Sequence, residues 1–168
     1  MKKIKIPLDE NQIKGLKAGE PVLLSGTIYT ARDQAHKRLL EEKRKGCSWE
    51  GQVIYYCGPT RKPAGKTIGS CGPTTSSRMD CFTPDLLRRG LKGMIGKGKR
   101  SKEVIAAIKK YRAVYFLTFS GCGALLSKYV RRAKSVAYKD LGPEAIYKLE
   151  VKDFPLIVGV DSRGKSVY

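Results

Sequence analysis

Apolar and polar residues alternate along the chain in short blocks that predict an alternation of strands and helices. Apolar runs of strand length lie at 21–28, 52–57, 93–95, 113–119, 135–140, 145–151 and 156–161. Apolar residues at helical spacing predict helices at 31–45, 84–89, 102–111 and 123–130. Strands that alternate with helices at irregular intervals indicate an α/β fold, a layered sheet with flanking helices.

The predicted helix at 102–111 shows how charge is placed on these elements. Val104, Ile105 and Ile108 recur at helical spacing, and lysines occupy the opposite side, as on a solvated helix face. The chain carries 34 lysine and arginine residues against 15 acidic ones, a formal net charge of +19, which by itself suggests nucleic acid. The aromatic residues do not interleave with the basic runs as in a stacking platform, so nucleic-acid binding is the less favoured alternative. The excess charge can equally complement an acidic partner subunit or attract a dianionic substrate.

A chain of 168 residues is long enough for one domain with a buried core. We expect residues 1–168 to form that domain, with 1–20 as an N-terminal extension of undetermined order. No apolar run reaches the ~18 residues that a membrane span needs. The basic N-terminus lacks the apolar stretch of a signal peptide, so the cytoplasm is the expected location.

The cysteine pattern favours reduced thiols over a disulfide framework. The five cysteines are odd in number and contain no C-x-x-C pair. We expect most of them to be small buried hydrophobic residues, although the spacing leaves a ligand set among them open. They are Cys47, Cys57, Cys71, Cys81 and Cys122.

The segment at 71–80 combines a turn with a dense set of anion-binding groups. Gly72 and Pro73 predict a sharp turn, because glycine reaches positive φ and proline fixes φ. Four hydroxyl residues follow at 74–77, and Arg78 adds a guanidinium fork. Hydroxyls, backbone N–H groups and a guanidinium directed into one volume suit a carboxylate or a phosphate. An ordinary Ser/Thr-rich loop is the alternative, and a second polar cluster upstream argues against it.

That second cluster lies at the predicted strand-to-helix junction at 27–38. Thr30 is predicted to cap the helix, which sets Arg32 and Asp33 in the first turn. His36 is the single histidine of the chain, and it is four residues from Arg32 and three from Asp33. These spacings place the three side chains on one helix face. A lone histidine is more often structural than catalytic, but this position favours a site.

A third cluster is Gly96-Lys97-Gly98, which follows a short apolar strand. The motif Gly-x-x-Gly-Lys-Gly lacks the spacing of a nucleotide P-loop, so we reject ATP or GTP binding here. It leaves Lys97 on a loop at the carboxyl end of a strand, a usual position for a ligand contact in an α/β fold.

The three clusters together carry a family resemblance. The matching motifs are Ala31-Arg32-Asp33-x-Ala35-His36, Gly72-Pro73-Thr74-Thr75-x-x-Arg78-Met79-Asp80 and Gly96-Lys97-Gly98, and the likeness continues through 119–125 and 154–164. This pattern resembles the β subunit of the two-subunit iron–sulfur hydro-lyases, class I fumarate hydratase and L(+)-tartrate dehydratase. Cys122 is a departure, since glycine or alanine is expected there.

The resemblance implies that the α/β fold is a swivelling β/β/α domain. It implies reversible hydration of fumarate to L-malate, with L(+)-tartrate dehydration as the alternative, by a site shared with an α subunit. A [4Fe-4S] cluster is then carried by that partner subunit, and no metal ligand is expected in this chain.

Hydration of a dicarboxylate needs clamps for two carboxylates and an acid or base at carbon. The resemblance makes Thr74 the proton-transferring residue, and its hydroxyl needs nearby cations such as Arg78 to stabilise an alkoxide. Asp33 and His36 are predicted to orient groups or shuttle protons. The predicted substrate-binding residues are Arg32, Arg78, Lys97 and Thr75.

Overall fold

The computed structural model describes residues 1–42 and 48–168. Within these ranges, seven strands pair in the order β1-β2-β3-β4-β5-β7-β6. Strand β7 also pairs with β2, so β2, β3, β4, β5 and β7 form a closed ring. The strands are β1 (Lys2–Lys5), β2 (Pro21–Thr30), β3 (Val53–Tyr55), β4 (Gly93–Gly96), β5 (Val114–Leu117), β6 (Val130–Ala137) and β7 (Ile146–Val160).

Strands β1 to β5 run parallel to one another. The carboxyl ends of β2, β3, β4 and β5 therefore meet at one edge of the sheet. Strand β7 is antiparallel to β2, β5 and β6. Ligands bind outside the carboxyl ends of parallel strands in closed barrels as well as in open sheets, so a site is expected at this edge.

Two of the helices, α3 and α4, begin at recognisable start signals. The Ser101 hydroxyl accepts a hydrogen bond from the Val104 N–H at 3.2 Å and caps α4. Pro84 stands in the first turn of α3, where its missing N–H costs nothing. The helices are α1 (Glu10–Lys14), α2 (Asp33–Glu41), α3 (Thr83–Arg88), α4 (Lys102–Tyr111) and α5 (Gly123–Leu126), with 3₁₀ turns at Ser76–Met79, Ser127–Tyr129 and Lys139–Glu144.

Both faces of β3 and β4 are buried, and alternate residues supply two separate cores. Along β3, Val53 and Tyr55 face the core inside the closed ring. Ile54, between them, faces the core under the helices, together with residues of α3 and α4 such as Leu86 and Val104. This alternation follows from the period of two along a strand. It makes the sheet a rigid support for the loops at its carboxyl edge.

The α/β fold with flanking helices is confirmed, but several boundaries differ from the prediction. Residues 2–5 form β1, which pairs with β2, and Glu10–Lys14 form α1, so much of the segment 1–20 is ordered. The runs at 145–151 and 156–161 form one strand, β7. The predicted helix at 123–130 is shorter, and Val130 begins β6, which ends at Ala137 instead of covering 135–140. Helix α2 ends at Glu41, and 43–45 lie outside the described residues.

None of the helices within the described ranges combines the length and apolar character needed to cross a bilayer.

Candidate active site

The junction between β2 and α2 is held by Thr30, in a different way from the prediction. The Thr30 hydroxyl accepts the Tyr147 N–H at 3.0 Å and donates to the Ala145 carbonyl at 3.4 Å. These bonds tie the end of β2 to the start of β7, so Thr30 does not cap α2. The N-cap residue of α2 is Arg32, without a side-chain capping bond. The predicted cap was wrong because the strand continues through Thr30, two residues beyond the predicted end at 28.

The Arg32 side chain passes along the loop that follows β3. A Cβ atom at Gly58 would lie 2.9 Å from Arg32 Cδ and 3.1 Å from its Nη1, so only glycine leaves room for this path. The Arg32 Nε is buried and has no hydrogen-bond partner among the described residues. A buried donor without a partner carries a desolvation penalty, which a hydrogen bond to a ligand or a water molecule would relieve.

Asp33 joins the first cluster to the second. Its Oδ2 accepts a hydrogen bond from Arg78 Nη2, across 45 residues of sequence. The Asp33 side chain is 24% exposed and that of Arg78 is 54% exposed, so the guanidinium stands at the surface with one edge held. The other carboxylate oxygen, Asp33 Oδ1, is buried without a partner among the described residues. Asp33 is therefore placed to orient Arg78.

His36 lies in a closed apolar environment below the first turn of α2. Its ring is fully buried, stacks on Phe82 and meets the edge of Tyr56. The Nδ1 atom lies 2.8 Å from the Arg32 carbonyl oxygen, and Nε2 is buried without a partner among the described residues. Burial is the main cause that lowers the pKa of His36 from 6.5 to about 4, with a contribution from Arg100.

The first cluster, at 71–80, meets the third, at 96–98, through hydrogen bonds of main-chain N–H groups. The Thr74 N–H donates to the Tyr56 carbonyl at 2.7 Å, which attaches the turn to the end of β3. Thr75 forms an isolated parallel bridge with Lys97. The Ser76 N–H donates to the Lys97 carbonyl at 2.9 Å, and the Lys97 N–H donates back to the Ser76 hydroxyl at 3.1 Å. A Cβ atom at Gly96 would overlap the Ser76 hydroxyl, so glycine permits this approach.

The four consecutive hydroxyl residues do not all face one volume. Ser76 is buried, and its hydroxyl accepts a hydrogen bond from the Tyr115 hydroxyl at 2.8 Å. Thr75 and Ser77 are exposed, and Thr74 is partly buried. Gly72 does not adopt a positive φ, so the turn does not use the freedom predicted for it. The sequence could not separate these hydroxyls because their orientation depends on the neighbouring strand β4.

Lys97 extends from the end of β4 towards the end of β5. Its Nζ donates to the Ser120 hydroxyl at 3.3 Å. Phe119, beside Ser120, is 47% exposed and lies at the same edge of the sheet. The loops after β2, β3, β4 and β5 thus meet at one edge of the sheet, where Asp33 contacts Arg78 and Thr75 bridges Lys97. The predicted site residue His36 is fully buried and is not part of this surface.

Sequence reasoning missed Arg100, the most heavily buried cation described here. Its side chain is fully buried, and Nε donates to Asp80 Oδ1 at 2.7 Å. Nη2 donates to the Thr83 hydroxyl at 2.7 Å, and the guanidinium lies over the rings of Tyr56 and Tyr115. Arg100 ends a run of lysines and glycines that reads as solvated. No local sequence signal pointed to it, because its partners Asp80 and Thr83 lie 20 and 17 residues away in the chain.

The described thiols do not fit a [4Fe-4S] cluster. Cys57 and Cys71 are buried, and burial raises the pKa of Cys71 to about 12 and that of Cys57 well above its usual range. Iron binds the thiolate form, which such an environment disfavours. Cys81 is exposed, Cys122 is partly buried, and Cys47 lies outside the described residues. Among the described residues, no group of three or more His, Cys, Asp or Glu side chains is arranged to hold a metal ion.

Comparison with known proteins identifies the family. A sequence model described as Fumarase C-terminus matches residues 1–168. A protein of Methanocaldococcus jannaschii named "Putative L(+)-tartrate dehydratase subunit beta" is 38% identical over 171 residues, which cover 96% of this chain and 88% of that protein. Fumarate hydratase 2 of Leishmania major is 37% identical over 98% of this chain and 30% of its own length. The anaerobic class I fumarate hydratase of Escherichia coli K12 is 40% identical over 86% of this chain and 28% of its own length.

The resemblance drawn from the three polar clusters is confirmed by these matches. The chain spans less than a third of the length of the two fumarate hydratases, and most of the length of the archaeal subunit. The polar edge of the sheet and the matched sequence lead to the same result: this chain belongs to the Fumarase C-terminus family.

Proposed function

We propose that the chain is the β-type subunit of a hydro-lyase that reversibly hydrates fumarate to L-malate. The observation that carries this proposal is the union of three distant motifs at one edge of the sheet. Asp33 contacts Arg78, and Thr75 bridges Lys97, so the three clusters form one surface. The names of the relatives, fumarate hydratases and a dehydratase subunit, support the same reaction class.

The cations of this surface bind the two carboxylates of the substrate. A dicarboxylate carries two negative charges, and Arg32, Arg78 and Lys97 provide three positive ones. A guanidinium fork grips a carboxylate through two parallel hydrogen bonds, while an ammonium acts as a point charge. Arg32 has an unused buried N–H, and Arg78 has a free edge because Asp33 holds only one nitrogen. Thr75, beside Lys97, contributes a further polar contact.

Thr74 transfers the proton at carbon. Its main chain is fixed to Tyr56, and it lies next to the Thr75–Lys97 bridge and on the same turn as Arg78. A threonine hydroxyl is a weak base unless cations stabilise its alkoxide, and this turn brings Arg78 and Lys97 to its vicinity. Asp33 orients Arg78 both for binding a substrate carboxylate and for stabilising the Thr74 alkoxide.

The reaction needs a second chain. The described thiols do not fit an iron–sulfur cluster, so the [4Fe-4S] cluster belongs to an α subunit that completes the site. That partner fits the share of the fumarate hydratases that this chain leaves unmatched. The steps assigned here to this chain are substrate binding, orientation and proton transfer. They use only its own side chains.

L(+)-tartrate is the second candidate substrate. The archaeal relative is named as a subunit of L(+)-tartrate dehydratase, and this chain covers 88% of its length. Fumarate and tartrate are both dicarboxylates, so the same cations serve either of them.

The proposal is tested by co-expressing the chain with its candidate α subunit and measuring turnover of both substrates anaerobically. Hydration of fumarate by the complex supports the proposal, and turnover of L(+)-tartrate alone supports the second candidate. If the complex turns over neither substrate and the chain binds a nucleic acid in a salt-dependent way, the alternative of a nucleic-acid-binding protein would be favoured. The salt dependence distinguishes phosphate contacts from other binding.

A further inference from the structure

We propose that His36 is a positioning residue, which holds the Arg32 carbonyl through its Nδ1–H and carries no proton to or from substrate. Its effect on turnover rests on the proposed function, in which Arg32 binds a carboxylate. The imidazole geometry can be tested without that assumption.

The hydrogen-bond geometry determines the tautomer of the neutral ring. Nδ1 lies 2.8 Å from the Arg32 carbonyl oxygen, and a carbonyl only accepts, so the hydrogen must be on Nδ1. In a neutral imidazole, the other nitrogen then has no hydrogen. Nε2 is buried and has no partner among the described residues, so this nitrogen has no visible route for proton exchange with a ligand.

The surroundings of the ring favour its neutral form. Phe82 stacks on it with centroids 5.6 Å apart, and the edge contact with Tyr56 has centroids 5.5 Å apart. The charged groups that act on it are Arg100, from the loop between β4 and α4, and Asp33, from its own helix. Burial and Arg100 disfavour the imidazolium, while Asp33 and the bond to Arg32 favour it. Burial dominates and holds the pKa at about 4.

The hydrogen bond from His36 orients the peptide group from which the side chains of Arg32 and Asp33 extend. The Arg32 carbonyl accepts the His36 main-chain N–H at 2.9 Å and the imidazole Nδ1–H at 2.8 Å. Two donors on one oxygen fix the peptide plane between Arg32 and Asp33. From that peptide, the Arg32 side chain runs along Gly58, and the Asp33 carboxylate reaches Arg78. One buried ring therefore sets the orientation of two substrate-binding cations.

The direct test is nuclear magnetic resonance of the isolated chain, produced without a histidine tag and with ¹⁵N-labelled histidine. His36 is the only histidine, so the spectrum contains one imidazole. We expect the neutral ring with hydrogen on Nδ1, without titration between pH ~8 and ~5, where a free histidine changes charge. The Nε2–H tautomer, or a midpoint near the ordinary value of about 6.5, would overturn the proposal.

The functional test compares two amides in the complex with the α subunit. His36→Asn places an amide nitrogen near the position of Nδ1 and can still donate to Arg32, whereas His36→Gln places its amide near Nε2. We expect His36→Asn to lose less than about fivefold in kcat/KM and His36→Gln roughly 10- to 100-fold, mainly through a higher KM, because Arg32 binds substrate.

A different result would identify His36 as a proton carrier. Equal collapse of kcat in both variants, with loss of one limb of the pH profile, would contradict positioning. If the parent complex turns over neither dicarboxylate, the proposed function fails. The labelled spectrum still decides which nitrogen of His36 holds Arg32.

Discussion

Arg78 combines an ion pair within the chain with an exposed guanidinium edge. Asp33 holds one nitrogen of its guanidinium, and the side chain is otherwise exposed. Any cation at this position supplies the same charge, so the specific contribution of the arginine is the paired hydrogen-bond geometry of its guanidinium group. Replacement by lysine separates the two contributions.

We predict that Arg78→Lys lowers kcat/KM of the two-subunit enzyme by roughly 30- to 1000-fold, about 2–4 kcal/mol of transition-state stabilisation. Lysine cannot reproduce the two parallel hydrogen bonds to a carboxylate. The matched control is Arg88→Lys, because Arg88 is an exposed arginine paired with Asp85 outside the site. Steady-state kinetics of both variants check this, and an Arg78→Lys enzyme within threefold of the parent would exclude Arg78 from the site.

Thr74 and Thr75 are neighbours with the same side chain, which makes them a natural pair for comparison. If Thr74 transfers the proton, Thr74→Val should abolish most of kcat while substrate binding persists. Thr75→Val should mainly weaken binding. If the pair only shapes the turn, both variants should lose about 1 kcal/mol of stability and behave alike.

Exchange of solvent deuterium into the substrate carbon reports the proton step directly in these variants. A Thr74→Val enzyme that exchanges the carbon proton at the parental rate would exclude Thr74 as the base. The role would then belong to the partner subunit.

At the scale of elements, Arg100 connects the pieces that carry the site. Arg100 binds Asp80 and Thr83, which follow the turn that carries Arg78. It also lies over the ring of Tyr56, whose carbonyl accepts the Thr74 N–H. The Ser101 N–H also donates to Asp80, at 2.9 Å, so the start of α4 is part of the same network. This network fixes the turn at 74–80 relative to β3 and β4.

We predict that Arg100→Met destabilises the chain by about 3–5 kcal/mol, because Asp80 is left as a partly buried charge without its partner. Arg88→Met removes an exposed ion pair and should cost less than about 1 kcal/mol. Urea unfolding followed by circular dichroism measures both. Equal effects in the two variants would mean that the Arg100 network does not stabilise the turn.

The carboxyl edge of the sheet could be predicted from the sequence because local signals determine it. Short apolar strands followed by polar loops placed Arg32, Thr74 and Lys97 after successive predicted strands. The parallel pairing that brings those loops together is a finding of the structure. The α/β fold was predictable for the same reason. Residue roles within the site stay predictions until the variants are measured.

Long-range packing was not predictable, since no local signal reports it. The apolar runs at 145–151 and 156–161 predicted two strands, but β7 continues through both, and Asp153 between them has a positive φ opposite an irregularity in β2. Arg100 looked like a surface cation, because its partners are distant in sequence. The orientation of Ser76 depends on Gly96, a contact that only the fold creates.

At the scale of the whole molecule, the chain presents half of the proposed site. Its net charge is +19, and the residues proposed to bind substrate are cations that suit a dianion. Among the described residues, no group of three or more His, Cys, Asp or Glu side chains is arranged to hold a metal ion. The proposed function assigns the cluster to a partner subunit, and that assignment can be tested on this chain alone.

We predict that the isolated chain folds but neither binds an iron–sulfur cluster stoichiometrically nor hydrates fumarate. The check is anaerobic reconstitution of this chain alone, followed by iron and sulfide analysis and an activity assay. The same treatment with the α subunit present is the positive control. A full complement of four irons together with activity in the isolated chain would contradict the two-subunit proposal.

The closed ring of strands has a consequence for how the chain is made. The ring closes only when β7 pairs with both β2 and β5, and the Asp153 N–H meets the Ser25 hydroxyl across 128 residues of sequence. During synthesis, β2 and β5 therefore leave the ribosome with unpaired edges, which stay exposed until β7 has been synthesised. Contacts of such separation slow folding, and exposed edges invite pairing with other chains. The nascent chain is thus most vulnerable to aggregation just before β7 emerges.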